Sequence, residues 1–166
     1  MNKLKKFLFI IGTRPEAIKL SPIIINLRRE QWAEVKVVST GQQDEIVEEI
    51  LSSFNIRIDY KFKVKSKNNN LASTTARLIV KTENLLKEYK PNLALVQGDT
   101  SSVIAASIAC FYNKVDICHI EAGLRTFDLH NPFPEEFNRT IVSKISKWNF
   151  AHSENSKLNL LKEGIP

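Results

Sequence analysis

Residues 7–16, with the sequence FLFIIGTRPE, decide the fold class of this protein. The first five are apolar without interruption, which is typical of a parallel strand buried on both faces, and Gly12 ends the run. A helix is predicted to begin directly afterwards, because Thr13 and Glu16 have the spacing of a capping box. A buried strand that turns sharply into a helix is the repeating unit of an α/β fold.

The same alternation of strand and helix continues along the chain. Residues 56–64 alternate apolar with polar side chains, as in a half-exposed edge strand. Helical spacing of apolar residues predicts helices between the strands, and the helix near 102–112 is apolar on almost every face and therefore central. We predict the α/β class with a mostly parallel sheet. Further strands are predicted at 35–39, 93–96, 115–120 and 148–151, of which 93–96 is buried and 148–151 is short.

The composition limits the function classes. The chain has 166 residues, 43% hydrophobic and 25% charged, which is the balance of one globular domain and not of a disordered or fibrous chain. No run approaches the roughly 18 apolar residues of a membrane span. Cys110 and Cys118 lie among apolar residues and indicate buried thiols in a reducing compartment, so we expect a cytoplasmic location.

The net charge of +6 favours anionic partners without choosing among them. Most of this charge is scattered, and the one clustered run is interpreted as a solvated edge or loop. That run consists of Lys61, Lys63, Lys65 and Lys67.

Glycine is scarce, with five residues in the chain, and four of them follow predicted strands. In an open parallel sheet, ligands bind beyond the carboxyl ends of the strands, where the strand order reverses. Polar or charged side chains that packing does not require stand next to these glycines. We therefore predict a ligand site at this edge of the sheet, marked by Gly12, Gly41, Gly98 and Gly123.

The first candidate is a phosphate or diphosphate site at the start of the first helix. Free N–H groups after Gly12 and Thr13 would carry partial positive charge there, and Arg14 and Lys19 would add cations. The alternative is that Arg14 simply pairs with Glu16. The glycine fingerprints of dinucleotide-binding and Walker loops are absent from the sequence.

Acidic residues supply the second set of candidates. Asp99 could cap the next helix or face Arg14 across the point of strand reversal. Glu121 ends an apolar strand, where a carboxylate needs a partner, and the structural alternative is an ion pair with Arg125 or Arg139. Pro134-Glu135-Glu136 places two carboxylates at a helix start.

Other kinds of site find no support in the sequence. His119 is interpreted as a core histidine. The three histidines and two cysteines lack the spacing of metal ligands, and no serine stands on a nucleophile-elbow motif.

Four motifs taken together resemble the bacterial UDP-N-acetylglucosamine 2-epimerases. They are GTRPEAIK at 12–19, QGDT at 97–100, HIEAGLRT at 119–126 and PEEFNR at 134–139. Their order and spacing match over nearly the whole chain. The resemblance implies a Rossmann-like domain spanning residues 1–166, the N-terminal half of a two-domain GT-B architecture whose UDP-binding half lies outside this chain.

The resemblance also implies a reaction. Enzymes of this family interconvert UDP-N-acetylglucosamine and UDP-N-acetylmannosamine by eliminating UDP as the C2 proton leaves, and then adding it back. Asp99, Glu121 and Glu135 match the family's acid/base carboxylates. A UDP-sugar partner and a homodimer follow, with no redox cofactor, metal, nucleic acid or membrane, and this fragment alone is expected to be inactive. The substrate-binding residues are then Gly12, Thr13, Arg14, Lys19, Arg125 and Arg139.

Two departures from the family pattern stand out. Gln42-Gln43 replaces the usual Gln-His in a region that contributes to a regulatory UDP-sugar site, and Phe127 stands where many relatives carry glycine. Two alternatives stay open at this point. One is a hydrolysing relative that releases N-acetylmannosamine and UDP, and the other is a non-catalytic basic domain.

Overall fold

The computed structural model describes residues 4–64 and 70–165. The strands are β1 (Lys5–Ile11), β2 (Ala33–Ser39), β3 (Tyr60–Lys61), β4 (Leu93–Gln97), β5 (Asp116–Ala122) and β6 (Trp148–Ala151). The helices are α1 (Arg14–Arg28), α2 (Asp44–Ser53), α3 (Leu71–Tyr89), α4 (Ser101–Tyr112), α5 (Glu135–Ile145) and α6 (Glu154–Lys162).

The six strands form one parallel sheet in the order β3-β2-β1-β4-β5-β6. This order reverses between β1 and β4, because the chain first builds outward from β1 through β2 and then returns to β4. The α/β prediction is confirmed, and the fold is Rossmann-like.

The apolar run of β1 serves both faces of the sheet. Leu8 and Ile10 pack into a core layer with α3, α4 and α5, whereas Phe9 and Ile11 pack against α1 and α2. All four side chains are at most 1% exposed. Burying each of them contributes about 1.5–3 kcal/mol, which explains why a central strand has no polar alternation.

The predicted edge strand is shorter than its pattern suggests. Only Tyr60–Lys61 pairs with β2, although Ile56 and Phe62 still turn inward. The carboxylate of Asp59 accepts the N–H of Val37 at 2.9 Å, in the place where a strand carbonyl would otherwise bond. The ladder therefore starts only at Tyr60, at the sheet edge that was predicted.

Two smaller predictions can also be compared with the structure. Cys110 and Cys118 are free and buried, as expected, and burial raises the pKa of their thiols to about 12 and about 11. Lys61 pairs with Glu48 at 2.6 Å on the surface, whereas Lys65 and Lys67 lie outside the described residues.

Across residues 4–64 and 70–165, none of the helices combines the length and the apolar character that crossing a bilayer requires.

Candidate functional site

A cavity of about 170 Å³ lies where the carboxyl ends of β1, β4 and β5 meet, at the point of strand reversal. Its position matches the predicted ligand site. The structure brings four of the predicted site residues into its lining: Thr13, Asp99, Glu121 and Arg139. Three further polar residues, Glu16, Gln97 and Thr100, complete the polar lining.

Glu121 is held by Lys19 and Gln97. The Lys19 ammonium lies 2.6 Å from both carboxylate oxygens, and the Gln97 amide donates to Oε2. The predicted alternative, a pair with Arg125 or Arg139, is wrong because both arginines bind other glutamates. Lys19 therefore meets Glu121 from α1, across the carboxyl ends of three strands.

The backbone at Glu121 is strained. Its φ is +65°, in the left-handed region, and the β5–β6 register shifts between Ile120 and Ala122. Such a conformation costs a non-glycine residue about 1–2 kcal/mol. Regular alternation would direct Glu121 to the same face as His119, so the bulge redirects the carboxylate into the cavity.

His119 is a core residue, as predicted, and it joins two elements of the site. Its side chain is fully buried, and Nε2 lies 2.8 Å from the carbonyl oxygen of Gly98. Burial lowers the pKa of His119 to about 4. The imidazole is therefore neutral at pH 7 and fixes the end of β4 against β5.

Asp99 does not cap α4. The cap is Thr100, whose hydroxyl accepts the N–H of Val103, and the Asp99 carboxylate lies 3.2 Å from Nη1 of Arg139 instead. Burial raises the pKa of Asp99, the charges of Glu135 and Glu121 add to this effect, and Arg139 opposes it. Glu135 begins α5, as predicted, and acts on Asp99 from there.

The start of α1 differs from the predicted phosphate cradle. Glu16 is 1% exposed, and its carboxylate accepts the N–H groups of Gly12 and Thr13. The N–H of Arg14 donates to Gln43 at 3.1 Å. These groups are therefore already used, and the expectation of free donors there was wrong.

Glu16 also links the two helix starts that flank the cavity. Its Oε1 accepts the hydroxyl of Thr100 at 2.8 Å, so one carboxylate joins α1 to α4. Burial raises the pKa of Glu16. Among the described residues no ion pair joins Glu16 to Arg14, whose side chain is exposed at this edge of the sheet.

Gly12 has no room for a side chain. A Cβ at this position would collide with the hydroxyl oxygens of Ser102 and Thr40, which lie 2.7 Å apart in a hydrogen bond. The loops after β1 and β2 and the start of α4 therefore meet at one point.

The comparisons with known proteins identify the family. The family model for UDP-N-acetylglucosamine 2-epimerase matches residues 25–166. The chain belongs to the UDP-N-acetylglucosamine 2-epimerase family.

Individual relatives of this epimerase family agree in sequence and structure. The UDP-N-acetylglucosamine 2-epimerase of Neisseria meningitidis is 45% identical over 97% of this chain and 43% of its own length. Its crystal structure, bound to UDP-GlcNAc, matches with a TM-score of 0.94. The enzyme of Salmonella typhimurium is 42% identical over 97% of this chain and 43% of its own.

More distant structures share the fold. The Methanocaldococcus jannaschii UDP-GlcNAc 2-epimerase in complex with UDP-GlcNAc and UDP has a TM-score of 0.88 and 36% identity, covering 97% of this chain and 44% of its own. Acinetobacter baumannii MurG, at 12% identity and a TM-score of 0.63 over 88% of this chain and 40% of its own, shows likeness of fold alone. The chain spans less than half the length of the epimerases it matches.

The structure shows the surroundings of two positions where this chain departs from the epimerase family pattern. Phe127 has φ +63°, a conformation that favours glycine, and its side chain is 71% exposed. Gln42 accepts the hydroxyl of Ser102 at 2.8 Å and lines a second cavity of about 370 Å³, separate from the first. A regulatory role for Gln42 and Gln43 stays a prediction.

Arg125 is not brought into the cavity. Its side chain is 1% exposed and binds Glu163 through Nε and Nη2, at 2.7 and 2.9 Å. This pair lowers the pKa of Glu163. A role of Arg125 in substrate binding stays a prediction, and in this structure the residue joins the loop after β5 to the end of α6.

Among the described residues, no group of three or more His, Cys, Asp and Glu side chains is placed to hold a metal ion.

Proposed function

We propose that this chain is the N-terminal domain of an enzyme that interconverts UDP-N-acetylglucosamine and UDP-N-acetylmannosamine. The observation that carries the proposal is the cavity at the point of strand reversal. Glu121 and Asp99 both line it, close enough for the charge of Glu121 to act on Asp99, and Lys19 on α1 pairs with Glu121. The names of the relatives, and the UDP-GlcNAc in the Neisseria structure, supply the substrate class.

The chemistry requires both a base and a cation. The C2–H bond of the sugar is not beside a carbonyl, so a base alone would remove its proton very slowly. The departing diphosphate must be stabilised at the same time, and electrostatic stabilisation of that kind is often the largest catalytic contribution. The backbone N–H groups at the start of α1 are occupied and cannot stabilise the diphosphate. The side chains of Lys19 and of the exposed Arg14 can supply this stabilisation.

The proton is assigned to the carboxylate set of Asp99, Glu121 and Glu135. Burial raises the pKa of Asp99, which makes its carboxylate a better proton acceptor than an exposed aspartate. The charges of Glu135 and Glu121 add to the rise in the pKa of Asp99, so the basicity of Asp99 depends on both neighbours. No single member is assigned the C2 proton.

The test uses a chimera in which this chain replaces the matching segment of the Neisseria meningitidis enzyme. The chimera is incubated with UDP-N-acetylglucosamine in D2O, and deuterium at C2 is followed by NMR. We expect incorporation by the chimera and little or none by the 166-residue chain alone, because this chain spans less than half the length of the epimerases it matches. Asp99→Asn, Glu121→Gln and Glu135→Gln should each reduce incorporation at least 100-fold, as expected for general acid–base groups.

A folded chimera that binds UDP but exchanges no C2 proton would contradict the proposal, as would wild-type exchange in all three variants. The products separate two reactions: UDP-N-acetylmannosamine indicates epimerisation, and accumulating free N-acetylmannosamine indicates hydrolysis.

A homodimer and a cytoplasmic location are part of this proposal. Exposed apolar side chains on α3 and α4 support self-association, since Val80, Phe111 and Tyr112 are 54%, 55% and 75% exposed. Light scattering of the wild type and of Phe111→Ser measures the mass. We expect the variant to shift towards monomer.

A further inference from the structure

Arg139 is a buried cation between two carboxylates. Its Nη1 lies 3.2 Å from Oδ2 of Asp99, and its Nε and Nη2 lie 2.7 and 2.5 Å from Oε2 of Glu136. The residue is 5% exposed, although it lines the cavity. All three guanidinium nitrogens therefore face protein acids, whereas Arg14 is exposed to solvent.

Glu136 is in turn anchored. It is 1% exposed, and Oε1 accepts the N–H of Phe127 at 3.0 Å from the loop that precedes α5. Burial opposes its ionisation, but the hydrogen bonds from the loop and from Arg139 outweigh this and lower the pKa of Glu136. The carboxylate is thus fixed at both oxygens and holds the guanidinium in one orientation.

We propose that Arg139 is a positioning residue of the candidate site: its guanidinium holds the carboxylate of Asp99 in place, and Glu136 orients the guanidinium. This role rests on the proposed function of Asp99. It replaces direct substrate contact, because turning the guanidinium towards a ligand would leave the buried charge of Glu136 without its partner.

The neighbouring groups show why Asp99 needs such a partner. Charged groups face it from two elements: Arg139 and Glu135 on α5, and Glu121 on β5, which Lys19 neutralises in part from α1. The amide of Asn138 holds the Asp99 carbonyl at 2.8 Å. Arg139 is therefore the cation in direct contact with the partly buried carboxylate of Asp99, whose other charged neighbours named here are acidic.

The experiment measures Asp99 directly and needs no substrate. Carbon-13 NMR of carboxyl-labelled aspartate follows the titration of Asp99 in the 166-residue chain, in the wild type and in Arg139→Gln. We expect the midpoint of Asp99 to rise by about one pH unit or more, a tenfold change in its ionisation. The titration does not depend on turnover. The positioning role of Arg139 can therefore be refuted while the proposed function stands, and the proposed function can be refuted while the positioning role stands.

Two further variants make the measurement specific. Arg139→Lys retains the charge but not the fork that spans two carboxylates, so its Asp99 midpoint should also rise. This variant gives the readout if Arg139→Gln does not fold. Arg125→Gln is the matched control, because Arg125 is an equally buried arginine bound to Glu163, and it should leave the Asp99 midpoint unchanged.

Three outcomes would overturn the proposal. The first is an unchanged midpoint in folded Arg139→Gln. The second is a wild-type midpoint in Arg139→Lys, which would mean that charge alone matters. The third is an equal rise in Arg125→Gln, which would mean that any loss of a buried arginine loosens the site.

Discussion

The carboxyl ends of β1 and β5 face the same cavity but are built in opposite ways. At β1, Glu16 and Gln43 take up the first N–H groups, and Gly12 packs without space to spare. At β5, Glu121 stands in a strained conformation, and its main partner is Lys19, whose side chain is 45% exposed. The first end is saturated and rigid, whereas the second is strained and keeps a carboxylate within reach of solvent.

This difference indicates which end can exchange its partners for a ligand. An ion pair that is exposed in part is worth little, on the order of 0–1 kcal/mol, so Lys19 can exchange one anion for another at small cost. The buried bonds of Glu16 cannot be exchanged in that way, because each lost partner leaves a desolvated group. Strain is also stored at β5 and not at β1, which is usual for functional positions.

The largest expected effect concerns the support of β5. Burial lowers the pKa of His119 to about 4 in the folded protein, from the ordinary histidine value of 6.5. Its stabilising contribution is therefore complete above pH 6.5 and is lost as the pH falls towards 4, by about 3 kcal/mol in total. Urea unfolding of the wild type and His119→Gln between these values measures it.

The comparison of the wild type with His119→Gln isolates the contribution of His119 to the free energy of unfolding, because the other titrating groups are present in both. The difference in unfolding free energy should shrink steadily below pH 6.5. A difference that does not depend on pH would mean that the folded imidazole is accessible to protons.

The second effect concerns the rigid end at β1. Gly12→Ala should lower the free energy of unfolding by about 2–3 kcal/mol, because the new methyl group collides with Ser102 and Thr40. Gly164→Ala is the matched control, since it has φ +72° and no neighbour within 4 Å. It carries only the conformational cost, about 1 kcal/mol. Equal losses in urea unfolding would show that the contact at Gly12 is loose.

The smallest effect concerns the strain at β5. Glu121→Gly and Glu121→Gln remove the same charge, but only glycine relieves the left-handed backbone. Glu121→Gly should therefore be more stable than Glu121→Gln by about 1 kcal/mol, although neither should support C2 exchange in the chimera. If the glutamine variant proved equally stable, the backbone at this position would not be strained.

Local patterns in the sequence predicted the saturated end at β1 better than the strained end at β5. The apolar run of β1 and the capping box of Glu16 depend on neighbouring residues, so spacing alone located them. That Glu16 would also close the predicted phosphate cradle follows from its second set of bonds, which reach back to Gly12 and across to Thr100.

The partners of Glu121, at the end of β5, could not be predicted from local spacing. A bulge redirects Glu121, and no apolar–polar pattern signals a bulge, so the sequence did not point to Lys19 and the alternative arginine partner was wrong. Glu136 was counted only as a charge at a helix start, although its spacing of three residues from Arg139 was a usable signal. Long-range pairs such as Lys19 with Glu121 depend on strand order, which spacing along the chain does not contain.

The mixture of charges around the cavity has a directional consequence. The protein carries a net charge of +6, yet three carboxylates line the cavity, from Glu16, Asp99 and Glu121, and Arg139 is its one lining cation among the described residues. Two further cations lie at the rim, the exposed Arg14 and the partly exposed Lys19, which is paired with Glu121, and both belong to the first turns of α1. An anion is thus attracted from a distance but repelled at the floor. A ligand with its charge at one end and a neutral group at the other has one favourable direction of approach, with the neutral group foremost.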